Sequence, residues 1–335
     1  MPHLYPALAV VLGIAALIYG AERFVAGASR LAAVMGMSPM IIGMVVVGLG
    51  TSAPELLVST TAALQGDAGL SIGNAIGSNI ANLGLVLAVG ALVSPLLIPE
   101  VAGRKEIPRL LVTTGLATAL LYDGNLSRFD GVALILALLS MMVVLIRSVR
   151  RDERAKPASE RGTRSAGSDG AEGYKEKRTK SFTTVLFGMV LLLVGSKSIV
   201  WGATDIAHAF GVSDFVIGLT VVAIGTSLPE LASTIIAARR GETELVVGNV
   251  VGSNTFNTLA VLGVPGVISP VASFSPSLLS VDLPVMLLLT AMLGAVGWRA
   301  RRPGGARVGR RWGVALLTVF VCHAAWTAVS ASTGV

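Results

Sequence analysis

Apolar runs of roughly 18 or more residues recur along the whole chain, and each is about the length a helix needs to cross the ~30 Å hydrocarbon core of a bilayer. That recurrence restricts the fold more than any other feature. A transmembrane β-barrel would show short alternating segments, and these runs do not alternate. Of the 335 residues, 53% are hydrophobic and 13% are charged, against about 25% charged in an ordinary soluble domain. The expected fold class is an all-α polytopic membrane protein, with the lipid bilayer as its main partner. Ten transmembrane helices are read near residues 5–27, 38–64, 69–93, 108–122, 129–148, 183–209, 213–238, 244–268, 281–298 and 312–331. The first run lacks a basic leading segment and a clear cleavage site, so it is read as a span and not as a removed signal peptide.

The placement of charge says more than the net +7. Basic residues fall in the loops between spans, where topology accounts for them, so no nucleic-acid partner is expected. The single cysteine, Cys322, allows no intramolecular disulfide and gives no sign of a thiolate metal site. Residues 149–182 are rich in Arg, Lys, Glu, Ser and Gly without apolar periodicity, and they read as a flexible linker. The chain thus divides into a first five-helix repeat (1–148), a basic linker (149–182) and a second five-helix repeat (183–335).

The two halves repeat. An offset of 175 carries Thr51 onto Thr226, Glu55 onto Glu230, Ser78 onto Ser253 and Asn82 onto Asn257, and upstream it carries Gly20 onto Gly195 and Gly36 onto Gly211. Five spans per half give the halves opposite orientations. With the linker in the cytoplasm and both termini outside, 24 of the 26 basic residues lie inside, as the positive-inside rule requires. Inverted repeats are a common plan for secondary transporters, whose sites sit near the bilayer midplane on interrupted helices.

The duplicated stretches place costly groups in that setting. Gly50-Thr51-Ser52-Ala53-Pro54-Glu55 is followed by Gly73-Asn74-Ala75-Ile76-Gly77-Ser78-Asn79 and Asn82. Gly225-Thr226-Ser227-Leu228-Pro229-Glu230 is followed by Gly248-Asn249-Val250-Val251-Gly252-Ser253-Asn254 and Asn257. Pro54 and Pro229 free the carbonyls of Gly50 and Gly225, because proline interrupts the hydrogen bond to the residue four back. Within a membrane such carbonyls need a partner, a cavity or an ion. Ser52, Glu55 and Ser59 share one helix face, and Ser78 and Asn82 share another. Facing helices of this kind surround a point with carboxylate, hydroxyl, amide and backbone oxygens, and the second half supplies the same set. Two carboxylates among oxygen donors suit a hard cation, Ca2+ above all, whereas transition metals usually bring His or Cys. Gly, Ser59, Thr60 and Ser233 read first as packing groups. Asn74, Asn79, Asn249 and Asn254 read equally as packing groups or as residues that orient the site. Glu55 and Glu230 read as ion ligands, since a mid-span carboxylate costs about 2.5–3.5 kcal/mol on insertion scales. His208 and His323 are placed at span ends, and Glu22 and Lys197 at an interface.

At these residues the sequence resembles the sodium/calcium exchanger branch of the cation/calcium exchanger superfamily, in its bacterial form. The resemblance in residue detail covers mainly 36–92 and 211–267. It implies two inverted five-helix repeats, with spans two, three, seven and eight as the ion-binding core and spans one and six sliding against it. It also implies acidic ligands at Glu55 and Glu230, and hydroxyl or carbonyl ligands at Thr51, Ser52, Thr226 and Ser227. Paired serines would stand at Ser78 and Ser253, last ligands at Asn82 and Asn257, and backbone carbonyls at Gly48 and Ala223. Some members carry Asp where this chain has Asn257, so the site here has two formal negative charges and not three. The calcium/proton branch usually shows Gly-Asn-x-x-Glu in place of Gly-Thr-Ser-x-Pro-Glu. The function expected is Na+/Ca2+ antiport across the plasma membrane by alternating access, by a monomer, with no cofactor beyond the transported ions and no enzymatic chemistry. A Ca2+/H+ antiporter, a cation channel and a non-transporting scaffold are the alternatives.

Overall fold

The computed structural model describes residues 4–155, 170–210, 223–273 and 275–333. The fold is helical, and its elements follow the apolar runs. The first helix, α1 (Leu4–Met35), is followed by a broken span made of α2 (Pro39–Thr51) and α3 (Ala53–Leu64), bent by 41°. Next come α4 (Ala68–Ala81), a π-helical turn (Asn82–Val86) and α5 (Leu87–Val93). A short strand β1 (Leu96–Ile98) leads to α6 (Ile107–Leu121) and α7 (Arg128–Ala155). The second half begins with α8 (Gly170–Ala209), then α9 (Ala223–Thr226) and α10 (Leu228–Arg239). It continues through α11 (Thr243–Phe256), a π-helical turn (Asn257–Val261) and α12 (Gly263–Ile268). After α13 (Leu283–Ala300), strand β2 (Ala306–Val308) pairs antiparallel with β1, and α14 (Arg310–Thr333) closes the chain.

Among the described residues, seven helices are long and apolar enough to cross a membrane, or eight with the bent pair counted as one span. Two of the ten expected spans are not among them. Residues 108–122 fall on α6, which continues without a break from a π-helical turn (Ala102–Glu106); Arg104, Lys105, Glu106 and Arg109 interrupt the apolar run there. For 213–238, residues 211–222 lie outside the described residues, as does the Gly211 position of the repeat, and the remainder forms α9 and α10. The linker reading also changes. Residues 149–155 continue α7 and 170–182 begin α8, while 156–169 lie outside the described residues. A helix already nucleated in the membrane extends at one hydrogen bond per residue, and Glu176 with Lys180 adds a favourable i,i+4 pair. The composition signalled neither extension, and it also missed the two-stranded β1–β2 pair.

Helix α11 is the centre of the molecule, with every residue from Leu245 to Thr255 buried. Leucine and valine side chains on α1, α7 and α14 face outward, as expected of a lipid-facing rim. Helices α1 and α8 pack against each other along their length and run antiparallel: Gly13 meets Gly195 and Ile199, whereas Gly27 meets Thr184 and Val185. Backbones touch here because the contact positions are glycines. A methyl group added at Gly20 would sit 2.8 Å from the Leu192 amide, and one at Gly195 would sit 2.7 Å from the Leu17 amide. Gly195→Leu is therefore expected to cost more than the ~1–3 kcal/mol typical of overpacking, because the obstruction is backbone and cannot rotate away. The measurement is the monodisperse fraction on size-exclusion chromatography in detergent, which should collapse.

The halves match locally where they match in sequence. Ser52 (φ −86°, ψ 2°) and Ser227 (φ −89°, ψ 1°) break their helices in the same way. A π-helical turn begins at Asn82 in the first half and at Asn257 in the second, and Gly66 and Gly241 both adopt positive φ in the turns before α4 and α11.

Candidate ion-binding site

The two helix breaks meet the two glycine-rich helices in the interior. Pro54 and Pro229 stand in the first turns of α3 and α10, positions that proline tolerates and that end the preceding helix. Each break puts a glutamate one residue further on, and Glu55 and Glu230 are both 1% exposed. Glu230 faces Thr51 and lies within electrostatic reach of Glu55, so carboxylates from the two halves approach one point. Among the described residues, Glu55 Oε2 and both Glu230 oxygens are buried with no hydrogen-bond partner.

The first break docks on α11 of the other half. Thr51 Oγ1 donates to Val47 O at 3.0 Å and lies 3.4 Å from Asn249 Oδ1 and 3.5 Å from Ser253 Oγ. Ser253 Oγ donates to the Gly48 carbonyl at 3.2 Å. Approach this close needs Gly48, since a methyl group there would sit 2.8 Å from the Ser253 amide. Ser52 is fully buried and its hydroxyl has no partner. On the other side, a cavity of about 320 Å3 brings Ser78 and Asn74 of α4 together with Thr226 and Ser227. Its outer wall includes Phe320 and His323 of α14. Asn82 and Asn257 are buried at the starts of the π-helical turns, and neither polar atom of Asn257 has a partner. Ala223 opens α9, and only its backbone is described.

Around this centre the amides act as positioning groups. Asn74 Nδ2 donates to the Glu55 carbonyl at 3.0 Å and to Ser59 Oγ at 2.8 Å, and Ser59 in turn donates to Ser71 O. Ser233 returns its hydroxyl to Pro229 O at 2.8 Å. Asn79 Nδ2 crosses to Thr258 Oγ1 at 2.9 Å, whereas Asn254 Nδ2 bonds locally to Val250 O at 2.7 Å. Glu22 and Lys197 are exposed on α1 and α8, away from the buried centre. His323 pairs with Asp282 at 2.7 Å on the cavity wall and lies well inside α14, not at a span end.

One contact changes the expectation that both prolines free a carbonyl for an ion. Ser196 Oγ of α8 donates to Gly225 O at 2.6 Å. The position equivalent to Ser196 in the first half is Ala21, which has no hydroxyl, and among the described residues no side chain donates to Gly50 O. Sequence reasoning missed Ser196 because a single serine in an apolar span carries no pattern. Ser196→Ala leaves a buried carbonyl without its donor, and the cost expected is ~1–3 kcal/mol. Thermal unfolding in detergent should show it as a midpoint lowered by several degrees.

Buried partnerless carboxylate oxygens, a partnerless hydroxyl and a partnerless amide are costly unless something else engages them. All the donors are oxygen or amide groups. Among the described residues no group of three or more His, Cys, Asp and Glu forms a metal cluster. The residues therefore fit a hard cation as cargo.

A polytopic helical fold with a buried, doubly acidic, oxygen-rich centre defines a membrane transporter of cations. The chain belongs to the sodium/calcium exchanger protein family, whose profile matches residues 5–147 and 180–329. It is 37% identical over 300 residues to the inner membrane protein YrbG of Escherichia coli, covering 90% of this chain and 91% of that one. It is 32% identical over 325 residues to the sodium/calcium exchanger MaX1 of Methanosarcina acetivorans, covering 88% and 93%. A solved structure of the sodium-calcium exchanger NCX_Mj, soaked with Na+ and Sr2+, superposes with a TM-score of 0.81 at 31% identity, covering 97% of this chain and 99% of that one.

Proposed function

We propose that the protein is a Na+/Ca2+ antiporter of the plasma membrane, working by alternating access as a monomer. Its ten spans form two inverted five-helix repeats, with both termini outside and the 149–182 segment in the cytoplasm. The observation that carries this reading is the pair Glu55 and Glu230, one from each half, both buried and within electrostatic reach of each other, with Glu55 Oε2 and both Glu230 oxygens lacking a hydrogen-bond partner among the described residues. The antiparallel seam of α1 and α8 and the matched breaks at Ser52 and Ser227 support the inverted arrangement. MaX1 and NCX_Mj are named sodium/calcium exchangers, which supports Na+ as the counter-ion.

The chemistry follows from charge. One Ca2+ balances the two carboxylates, and so do two monovalent ions. Thr51, Ser52 and Ser78, with Thr226, Ser227 and Ser253, add neutral oxygens that either ion accepts, as do Asn82, Asn257 and the carbonyls of Gly48 and Ala223. A neutralised site crosses the low-dielectric interior far more cheaply than a bare pair of charges, so the loaded forms exchange and the empty form does not. Sodium moving down its gradient then extrudes Ca2+.

Proteoliposomes holding the purified protein test this. An outward Na+ gradient at symmetric pH should drive Ca2+ uptake, and a pH gradient without Na+ should not. Uptake driven by the pH gradient alone would identify a Ca2+/H+ antiporter, and currents far above exchanger turnover would identify a channel.

A further inference from the structure

The repeat offset pairs two hydroxyls with two carboxylates outside the ion site. It carries Ser29 onto Thr204 and Asp67 onto Glu242. Ser29 lies near the end of α1 and Thr204 near the end of α8. Asp67 and Glu242 are the residues before α4 and α11, each directly after a glycine with positive φ. The four residues are equivalent in pairs, yet the structure treats the pairs differently. Ser29 Oγ donates to Glu242 Oε1 at 2.6 Å, bridging α1 to the start of α11. Glu242 consequently leaves its own helix without a side-chain cap. Asp67 caps its helix, accepting from the Leu70 amide at 3.0 Å. Thr204 Oγ1 is buried and has no partner among the described residues.

Packing follows the same asymmetry. Helix α1 lies along α10, whereas among the described residues α8 makes no comparable contact with α3, the repeat mate of α10. One end of the α1/α8 pair is therefore tied to the core and the other end is not.

We propose that Ser29–Glu242 and Thr204–Asp67 are alternate latches, closed in opposite access states, and that these four are positioning residues for transport. The inference rests on the exchanger reading and on the inverted repeat. In such a repeat, exchanging the conformations of the two halves produces the opposite state. That exchange would move Thr204 onto Asp67, give the orphaned hydroxyl its acceptor, and release Ser29 from Glu242. Each hydrogen bond has a carboxylate acceptor, so it is stronger than a neutral one. Because each forms in only one state, it shifts the balance between the states without touching the ion. Asp67 is one methylene shorter than Glu242, so α8 must come closer to the core than α1 does here.

The test uses the full chain with Cys322→Ser, which removes the exposed native thiol. Thr204→Cys and Asp67→Cys are added, and cross-linking by a short bifunctional thiol reagent is followed in membranes. The cross-link should form in this background, and adding Ser29→Ala should raise its rate roughly 3- to 10-fold by releasing the competing latch. A rate unmoved by Ser29→Ala, or no cross-link at all, overturns the proposal. In proteoliposomes, Ser29→Ala and Thr204→Ala should shift the half-saturating Ca2+ concentration at one membrane face in opposite directions. The double variant should return towards the parent value. Equal shifts in one direction would mean that both hydroxyls serve folding only, against the latch. If the Thr204→Cys, Asp67→Cys protein cross-links as expected but the parent protein carries no Ca2+, the exchanger reading fails and the two-state contact stands.

Discussion

Glu230→Gln is expected to abolish Ca2+ exchange, and Glu55→Gln to do the same, while both variants should reach the membrane as folded protein. Glutamine keeps the shape of glutamate and removes the charge, so packing around α3 and α10 survives. Neither oxygen of Glu230 has a hydrogen-bond partner to lose among the described residues. Folding should thus change little, and removing a buried charge beside another can even relieve strain. The ion loses far more. A unit charge pair 4 Å apart is worth about 4 kcal/mol at an effective dielectric of 20, and a divalent ion doubles that. Even after most of this is returned as desolvation, the loss exceeds ~3 kcal/mol, or a factor of about 100 in binding. Flux of radioactive calcium into proteoliposomes under a Na+ gradient should fall to the protein-free background in both variants.

Asn257→Asp is expected to add a pH dependence to exchange beyond that of the parent protein. Asn257 is fully buried at the start of a π-helical turn, with neither side-chain atom engaged, and a carboxylate is nearly its isostere. The variant site carries three acidic groups. One Ca2+ then leaves a net negative charge in a medium where charge is costly, and a proton restores neutrality. The Ca2+-loaded form that crosses therefore takes up one proton more than in the parent. Its flux should fall as pH rises, approaching about tenfold per unit where that proton is limiting. Parallel pH profiles of the two proteins measure the difference; superimposable profiles would show that residue 257 stands apart from the transported charge.

The helical membrane class was legible because hydrophobic run length acts at every residue, and the duplicated stretch because proline, glycine and glutamate are conspicuous in apolar sequence. Both glutamates, Ser52, Ser253 and Asn257 are each buried. What the sequence did not disclose depends on partners distant in the chain. Ser196 takes the Gly225 carbonyl, Asn79 reaches across to Thr258, and Ser29 finds Glu242 213 residues away. The π-helical turns at Asn82 and Asn257 were equally silent, because a single wide turn leaves no periodicity to read. Charge composition misled at the linker, where its ends turned out to extend α7 and α8.

Equilibrium binding of radioactive calcium to the purified protein in detergent, titrated with Na+, tests the shared site most directly. The expected result is one Ca2+ per chain, displaced completely by Na+, and no specific binding in Glu55→Gln or Glu230→Gln. Calcium binding that survives in both variants, or that Na+ leaves untouched, would contradict a single site where the two ions compete for Glu55 and Glu230.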